Sequence, residues 1–268
     1  MHTDLIRTFN QFGFLHLKGV LADRIENITD AFHAVWRDNG GGHHGHAHDG
    51  TKRSCVVPFI DYSDELSTLL DHPQLHALVT EILGEDFSYL GSDGNFYVGD
   101  TPWHRDGNHR GLRFIKLAIY LDPLDGDSGA LRVIPGSHHL DDVYAKGLAE
   151  VIAKIPGAEV PAVALATKPG DVAIFDHNLY HASFNGGTTR RMFTINVCQR
   201  WPDERLPELQ EYIASHARFW IDRNVGPRMQ ATAGPQRMRH LQQAMENDFL
   251  LTERTRQMRL EMSEPSRG

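Results

Sequence analysis

The chain is best interpreted outward from one short stretch, Thr101-Pro102-Trp103-His104-Arg105-Asp106-Gly107. Alternate residues of a β-strand project to the same face, so His104 and Asp106 can bind one ion while Arg105 points away. A second imidazole, His181, ends the segment of residues 176–181. Two imidazoles and one carboxylate form the facial triad that holds non-haem Fe(II) and leaves coordination positions open. A histidine and an aspartate at this spacing are common by chance, so the surrounding sequence has to decide.

The composition of the 268-residue chain argues against a nucleic-acid-binding, secreted or membrane protein. The net charge is −8 and the pI is near 6.1, so no basic face is available for phosphate backbones. Charged residues interrupt the apolar residues of segment 1–20, which is therefore neither a signal peptide nor a membrane span. Cys55 and Cys198 are too few for a disulfide scaffold and favour a reducing compartment. We therefore expect a cytoplasmic protein.

Short apolar runs separated by glycine, proline and aspartate dominate the middle of the chain. They cover residues 96–98, 113–121, 131–134, 163–166, 172–175 and 191–199. Such runs predict an antiparallel sandwich or barrel, not a parallel α/β sheet. Apolar residues at helical spacing predict a helix over residues 22–38, two short helices broken at Pro73, and two further helices after Trp201.

The candidate ligands lie within a series of motifs that follow one another in a recognisable order. After residues 101–107 come Gly129-Ala130-Leu131-Arg132-Val133-Ile134-Pro135-Gly136-Ser137-His138, then Pro169-Gly170-Asp171, then His181-Ala182-Ser183-Phe184-Asn185, and last Arg190-Arg191-Met192-Phe193-Thr194. With these motifs the chain, from about residue 9 to residue 201, resembles the phytanoyl-CoA dioxygenase family of Fe(II)- and 2-oxoglutarate-dependent oxygenases.

The resemblance implies a mostly β chain with flanking helices and a double-stranded β-helix core, the jelly-roll of cupin-like proteins. We expect one domain over residues 1–268, with a helical part at 1–85, the jelly-roll core at about 86–201 and a helical part at 202–268. His104, Asp106 and His181 would be both the metal ligands and the catalytic residues. The cofactors would be Fe(II), 2-oxoglutarate as cosubstrate, and O2. The reaction would hydroxylate or otherwise oxidise a C–H bond of a small-molecule substrate and release succinate and CO2.

The far carboxylate of 2-oxoglutarate needs a fixed cation, and a guanidinium suits it because it donates two parallel hydrogen bonds. Arg190 and Arg191 both follow His181 at about the spacing found in the family. The resemblance favours Arg190, whose strand face would also carry Thr194 as a hydroxyl donor, but a shortened preceding loop keeps Arg191 open. Asn95 stands where relatives place an amide against the cosubstrate, although an asparagine after a glycine also suits a turn.

Three other features have competing interpretations. Residues 39–50 hold four histidines among glycines and are interpreted as a mobile loop with surface imidazoles, not as a second metal site, with a lid over the site as a further hypothesis. Lys116 is interpreted as a surface lysine and His177 as a structural residue. Arg105, Arg110 and Arg113, near the first ligands in the sequence, suggest a substrate that bears a carboxylate or a phosphate.

Two alternative functions and two further properties stay open. The same iron site would also serve an oxygenase that acts on a protein side chain, or a cupin-type oxygenase that does not use 2-oxoglutarate. The sequence does not identify the substrate. It does not distinguish a monomer from a homodimer either, and it predicts no nucleic-acid or membrane partner.

Overall fold

The computed structural model describes residues 2–268, which form nine α-helices and twelve β-strands. The helices are α1 (His2–Phe12), α2 (Ile25–Asp38), α3 (Asp64–Ser67), α4 (Pro73–Leu83), α5 (Val143–Ile152), α6 (Leu206–Ala214), α7 (Pro227–Thr232), α8 (Pro235–Glu246) and α9 (Leu251–Glu261). The strands are β1 (Phe14–Leu17), β2 (Gly42–His43), β3 (His46–Ala47), β4 (Ser54–Val56), β5 (Ser88–Tyr97), β6 (Thr101–His104), β7 (Phe114–Tyr120), β8 (Leu131–Val133), β9 (Val163–Leu165), β10 (Val172–Asp176), β11 (His181–Ser183) and β12 (Arg190–Cys198). None of the described helices combines the length and the apolar character that crossing a lipid bilayer requires.

The chain divides into two compact units, and each unit takes two separate segments of the sequence. The first unit contains the residues up to Ile25 together with Tyr97–Met192. The second contains Glu26–Phe96 together with Phe193–Gly268. The units therefore do not follow the predicted succession of helical part, core and helical part, and the single domain stays a prediction.

The first unit contains two antiparallel sheets. In one sheet, β10 lies between β1 and β7, with Ile174 opposite both Leu15 and Leu117. All five residues of β10 are buried, as expected for a central strand that is rich in β-branched residues and covered on both faces. Beyond the end of β7, the Leu121 amide donates to the carbonyl oxygen of Arg191 at the start of β12.

The second sheet of the first unit has the strand order β6-β11-β8-β9. An apolar cluster packs between the two sheets, and it includes Ala118 and Phe175 from one sheet and Val133 and Leu165 from the other. Burying a side chain of valine, leucine or phenylalanine size contributes roughly 1.5–3 kcal/mol, so this cluster stabilises the packing of the two sheets, one of which contains β6 and β11.

The second unit combines most of the helices with two small sheet regions. Here β5 lies between β4 and the remainder of β12, and Cys55 pairs with Asn95. An aromatic cluster fills its interior, with ring centroids 4.7–6.5 Å apart; its members are Phe32, Trp36, Phe59, Phe96 and Phe193. The helix predicted from residue 22 begins at Ile25, the break at Pro73 is confirmed, and the described residues after Trp201 form four α-helices instead of the predicted two.

Residues 39–50 contain a short hairpin, in which β2 pairs with β3 and His43 lies opposite His46. The His43 side chain is 2% exposed. Its Nδ1 lies 3.1 Å from the carbonyl oxygen of Cys55, and its Nε2 lies 2.9 Å from that of Pro265. The interpretation as a loop with surface imidazoles is therefore wrong for His43, because its burial depends on residues more than two hundred positions away.

Candidate metal centre

Three side chains of the first unit converge on one point. One ligand atom from each of His104, Asp106 and His181 can be chosen so that all three lie within 4.8 Å of one another. The Nε2 of His104 is 3.9 Å from Oδ1 of Asp106, and the Nε2 of His181 is 3.7 Å from Oδ2 of the same carboxylate. Among residues 2–268, no other three or more histidine, cysteine, aspartate or glutamate side chains bring their ligand atoms this close together. The structure therefore brings together the three predicted ligands.

Strand register places the two imidazoles side by side. His104 is the last residue of β6 and His181 is the first of β11, and the two residues are paired across the antiparallel strands. Paired residues of neighbouring strands project to the same face, and here the ring centroids are 4.2 Å apart. Asp106 lies two residues beyond the end of β6, so it reaches the imidazoles from a bend and not from a continuing strand as predicted.

Backbone carbonyl groups select the ring nitrogen that faces the centre. The Nδ1 of His104 is 2.8 Å from the carbonyl oxygen of Pro102, and the Nδ1 of His181 is 3.0 Å from that of Leu179. A carbonyl oxygen only accepts, so each Nδ1 carries the proton and each Nε2 keeps its lone pair for a metal. Burial lowers the pKa of His181 to about 4, so this ligand is neutral at neutral pH.

Lys116 contacts the carboxylate of the centre. Its Nζ is 2.8 Å from Oδ2 of Asp106, and its side chain is 17% exposed. Burial opposes the charged form of Asp106, but the Lys116 ammonium and the neighbouring imidazoles outweigh burial and hold the pKa of this carboxyl well below its usual range. The interpretation of Lys116 as a surface lysine is wrong, because this residue of β7 faces the metal centre.

The segment Pro135-Gly136-Ser137-His138 supports the strand that carries His181. The hydroxyl of Ser137 accepts a hydrogen bond of 2.8 Å from the amide of Tyr180, and its carbonyl oxygen accepts one of 2.9 Å from the Arg105 guanidinium. That guanidinium also lies 4.0 Å from the centroid of the Tyr180 ring. Arg105 points away from the ligands, as predicted. Its guanidinium connects the segment that carries His104 and Asp106 to Tyr180, the residue before His181.

A buried amide joins the bend after Asp106 to the segment before His181. The Oδ1 of Asn178 accepts from the backbone N–H of His109 at 2.8 Å, and its Nδ2 donates to the carbonyl oxygen of the same residue at 2.9 Å. The Gly107 amide donates to the carbonyl oxygen of His177 in the same region. His177 is itself buried, and burial lowers its pKa to about 3. It does not belong to the group of three ligands.

The two candidate anchors for 2-oxoglutarate have different surroundings. Arg190 is 6% exposed, donates to the Ser183 hydroxyl at 3.0 Å and to the Gly129 carbonyl oxygen at 2.9 Å, and lies 5.2 Å from the Tyr97 ring centroid. Arg191 instead forms an ion pair of 2.6 Å with Asp122. The Arg190 guanidinium is the one that lies in the interior of the first unit.

Asn95 and Thr194 both lie in the second unit and bind the carboxylate of Asp93. The amide nitrogen of Asn95 donates to Asp93 at 2.5 Å, and its amide oxygen accepts from Arg53 at 2.7 Å. The Thr194 hydroxyl donates to the other oxygen of Asp93. Their contact with 2-oxoglutarate stays a prediction.

The sequence did not single out Lys116, Ser183 or Asn178 for the roles described above. Ser183 follows His181 by two residues and so shares its strand face, a spacing that was available as a signal. Lys116 interrupts an apolar run, which was also visible. Asn178 gave no local signal, because its partner is far away in the sequence.

Comparison with known proteins identifies the family. The sequence profile of phytanoyl-CoA dioxygenase (PhyH) matches residues 9–192. The chain belongs to the phytanoyl-CoA dioxygenase family. It is therefore a dioxygenase whose cofactors are Fe(II), 2-oxoglutarate and O2, and His104, Asp106 and His181 are side chains of the type that could hold its metal.

Two relatives in the family are named dioxygenases. The 2-aminoethylphosphonate dioxygenase of an uncultured bacterium (HF130_AEPn_1) is 25% identical over 189 residues, which are 64% of this chain and 71% of the relative. The ectoine dioxygenase of Sphingopyxis alaskensis (strain DSM 13593 / LMG 18877 / RB2256) is 30% identical over 118 residues, 38% of each chain.

A solved structure supports the predicted fold class. The carbocyclase SnoK from nogalamycin biosynthesis, described as non-haem and α-ketoglutarate-dependent, aligns with a TM-score of 0.58 at 18% identity, covering 73% of this chain and 83% of SnoK. Antiparallel sheets with flanking helices, in a fold shared with SnoK, confirm the cupin-like prediction.

Proposed function

We propose that this enzyme oxidises a C–H bond of a small molecule, with hydroxylation as the expected outcome, and that His104, Asp106 and His181 bind its iron. The observation that carries the proposal is the convergence of two Nε2 atoms and one carboxylate, with each Nδ1 occupied by a backbone carbonyl oxygen. This arrangement fits a divalent cation, because every atom that faces the centre offers a lone pair. When bound, Fe(II) with 2-oxoglutarate and O2 supplies the oxidising power, and succinate and CO2 are released.

The residues of the chain would bind and orient the reactants. Arg190 would hold the far carboxylate of 2-oxoglutarate through the paired N–H groups of its guanidinium. Support for this assignment comes from its burial and from Ser183, which shares a strand with His181. Phe175, whose ring centroid is 4.8 Å from that of His181, contributes an apolar wall that limits water near the ligands.

The relatives support a small-molecule substrate, because two of them are named for 2-aminoethylphosphonate and for ectoine. The earlier suggestion of an anionic substrate bound by Arg105, Arg110 and Arg113 has little support. Arg105 stacks on Tyr180, Arg110 pairs with Asp141 at 2.8 Å, and Arg113 donates to Asn10 at 2.9 Å.

The decisive measurement is the formation of succinate from 2-oxoglutarate in the presence of Fe(II) and O2. The parent protein should form succinate even without the natural substrate, through slow uncoupled turnover, and His181→Ala should abolish it. His139→Ala, which removes an exposed imidazole near the same region of the first unit, is the matched control and should retain it.

Two outcomes would contradict the proposal. Stoichiometric binding of iron with no succinate formed would indicate a binding protein without this chemistry. Undiminished substrate oxidation in Arg190→Ala, without consumption of 2-oxoglutarate, would favour the cupin-type alternative that does not use the cosubstrate. Product analysis with candidate small molecules and with peptides would separate a small-molecule substrate from a protein side chain.

A further inference from the structure

Lys116 occupies an unusual place for a lysine. It lies in β7, next to β10 in the first unit, opposite Phe175. Its neighbours along the strand are apolar, and β7 is buried at every position except this one. Placing an ammonium in such a strand costs free energy unless the charge is paired. The charge is paired here with Oδ2 of Asp106, at 2.8 Å.

The contact distinguishes the two oxygens of the Asp106 carboxylate. Both oxygens face an imidazole: Oδ1 lies 3.9 Å from the Nε2 of His104, and Oδ2 lies 3.7 Å from the Nε2 of His181. The lysine ammonium lies beside Oδ2, at 2.8 Å. A carboxylate can bind a metal through one oxygen or through both. A facial triad leaves three positions open only if its carboxylate uses one oxygen.

We propose that Lys116 is a positioning residue that keeps Asp106 a one-oxygen metal ligand. By holding Oδ2, the ammonium leaves Oδ1 for the metal and keeps the next coordination position free for 2-oxoglutarate, which needs two adjacent positions. This inference rests on the proposed function, because it concerns the same iron centre. An ordinary buried ion pair only neutralises charge, whereas Lys116 would also determine how many oxygens of Asp106 contact the metal.

The experiment compares Lys116→Met, Lys116→Arg and the exposed control Lys146→Met. Each protein is loaded anaerobically with Fe(II), its metal content is measured, and 2-oxoglutarate is titrated by the charge-transfer absorption of the iron chelate. A crystal structure of each metal-loaded variant then gives the number of Asp106 oxygens on the metal. Thermal unfolding shows whether each variant is folded, and Lys116→Gln is the substitute if the methionine variant is not.

Removing the ammonium should weaken the binding of 2-oxoglutarate about tenfold or more while iron still binds one to one, since outer partners of a metal ligand have effects of this size. Both oxygens of Asp106 should then contact the metal. Lys116→Arg should restore one-oxygen binding and an affinity within about threefold of the parent, because arginine also donates to a carboxylate. Lys146→Met should be unchanged.

Each contrary result has a distinct meaning. If Lys116→Met binds 2-oxoglutarate as the parent does, the inference is overturned. If the affinity falls but Asp106 still uses one oxygen, Lys116 acts through its charge alone and the positioning role is also overturned. A parent protein that binds iron but forms no chelate with 2-oxoglutarate would instead refute the proposed function, and the inference with it.

Discussion

Two adjacent arginines at the start of β12 have opposite surroundings. Arg190 lies in the interior of the first unit, where Ser183 and Gly129 orient its guanidinium. Arg191 is half-buried and forms an ion pair with Asp122. Neighbouring residues of a strand project to opposite faces, so only one of the two can lie on the interior face. The partners of the two side chains give them different expected roles.

Loss of the Arg190 guanidinium should impair the binding of 2-oxoglutarate specifically. Arg190→Met removes the charge-assisted hydrogen bonds and should raise the Kd for 2-oxoglutarate about thirtyfold, corresponding to about 2 kcal/mol. Arg191→Met is the matched control and should change this Kd less than about threefold, since Arg191 pairs with Asp122. Anaerobic titration of the iron-loaded proteins measures both values. Equal effects of the two substitutions would refute the assignment.

The glycines beside Arg190 offer a test of its position that leaves the arginine in place. A methyl group on Gly186 would collide with the Arg190 guanidinium and with the Gly99 carbonyl oxygen, whereas one on Gly187 would meet nothing within 4 Å. Gly186→Ala should therefore weaken 2-oxoglutarate binding about tenfold, and Gly187→Ala should leave it unchanged. Comparable affinities in these two variants would contradict the predicted orientation of Arg190.

At the scale of secondary-structure elements, the centre depends on two segments that are held together by side-chain contacts. β6 has four residues and β11 has three, so their own ladder is short. The Asn178 amide and the Arg105 guanidinium add contacts between the residues that follow β6 and those that precede β11. The spacing of the ligands therefore relies on these contacts as well as on strand pairing.

Asn178→Ala should loosen the bend after Asp106 without removing a ligand. The substitution leaves the N–H and the carbonyl group of His109 without their amide partner, which should cost about 1–3 kcal/mol of unfolding free energy. The affinity for a divalent metal should also fall about tenfold. Isothermal titration with Co(II) and urea unfolding test the two effects. The exposed Asn108→Ala is the control, and an unchanged metal affinity in Asn178→Ala would contradict the role of the amide.

The elements differ in how well the sequence predicted them. Runs of apolar residues located β7, β8, β9, β10 and β12 to within one or two residues. β11 was not predicted as a strand, because pairing across the sheet forms it and its own residues carry little strand signal. A strand was assumed from His104 to Asp106, and β6 ends at His104. Helices α1 and α5 were missed too. The spacing of Leu5, Phe9 and Phe12 was compatible with a helix, so α1 had a usable signal.

The three candidate ligands were predicted from the same motifs, and their order, that predicted the family. Strand alternation was an incomplete reason for pairing His104 with Asp106, since the strand ends at His104. The roles of Lys116 and Asn178 were beyond prediction, because each depends on a tertiary contact with a residue that the sequence does not mark as its partner. The sequence could not decide between Arg190 and Arg191 as the 2-oxoglutarate anchor either, because the answer depends on which face of β12 is buried.

At the scale of the whole molecule, buried histidines make stability depend on pH. Burial lowers the pKa of His138 to about 4, that of His177 to about 3, and those of His109 and His181 to about 4. Between these values and the ordinary pKa near 6.5, the unfolded chain binds more protons than the folded one. The stability that these neutral histidines contribute is therefore fully present above about pH 6.5 and is lost as the pH falls towards 4. Asp176, whose pKa burial raises to about 6, opposes this trend by up to one proton.

The metal-free protein should lose unfolding free energy when the pH is lowered from about 6.5 to about 4, and His138→Gln should flatten this dependence. One buried histidine accounts for up to about 1.4 kcal/mol per pH unit. Urea unfolding in the presence of a chelator, repeated across this pH range, measures the slope. His46→Gln, which removes an exposed imidazole of the second unit, should leave the slope as it is. A parent that is equally stable throughout the range would contradict the expectation.

The pairing of β1 with β10 has a consequence for how the chain is made. Leu15 meets Ile174, so the ribosome releases the first strand on the order of ten seconds before its partner exists. Until then the apolar residues of the segment Phe14–Leu17 have an unpaired backbone and no covering sheet. We expect the emerging polypeptide to be a substrate for chaperones that shield hydrophobic segments.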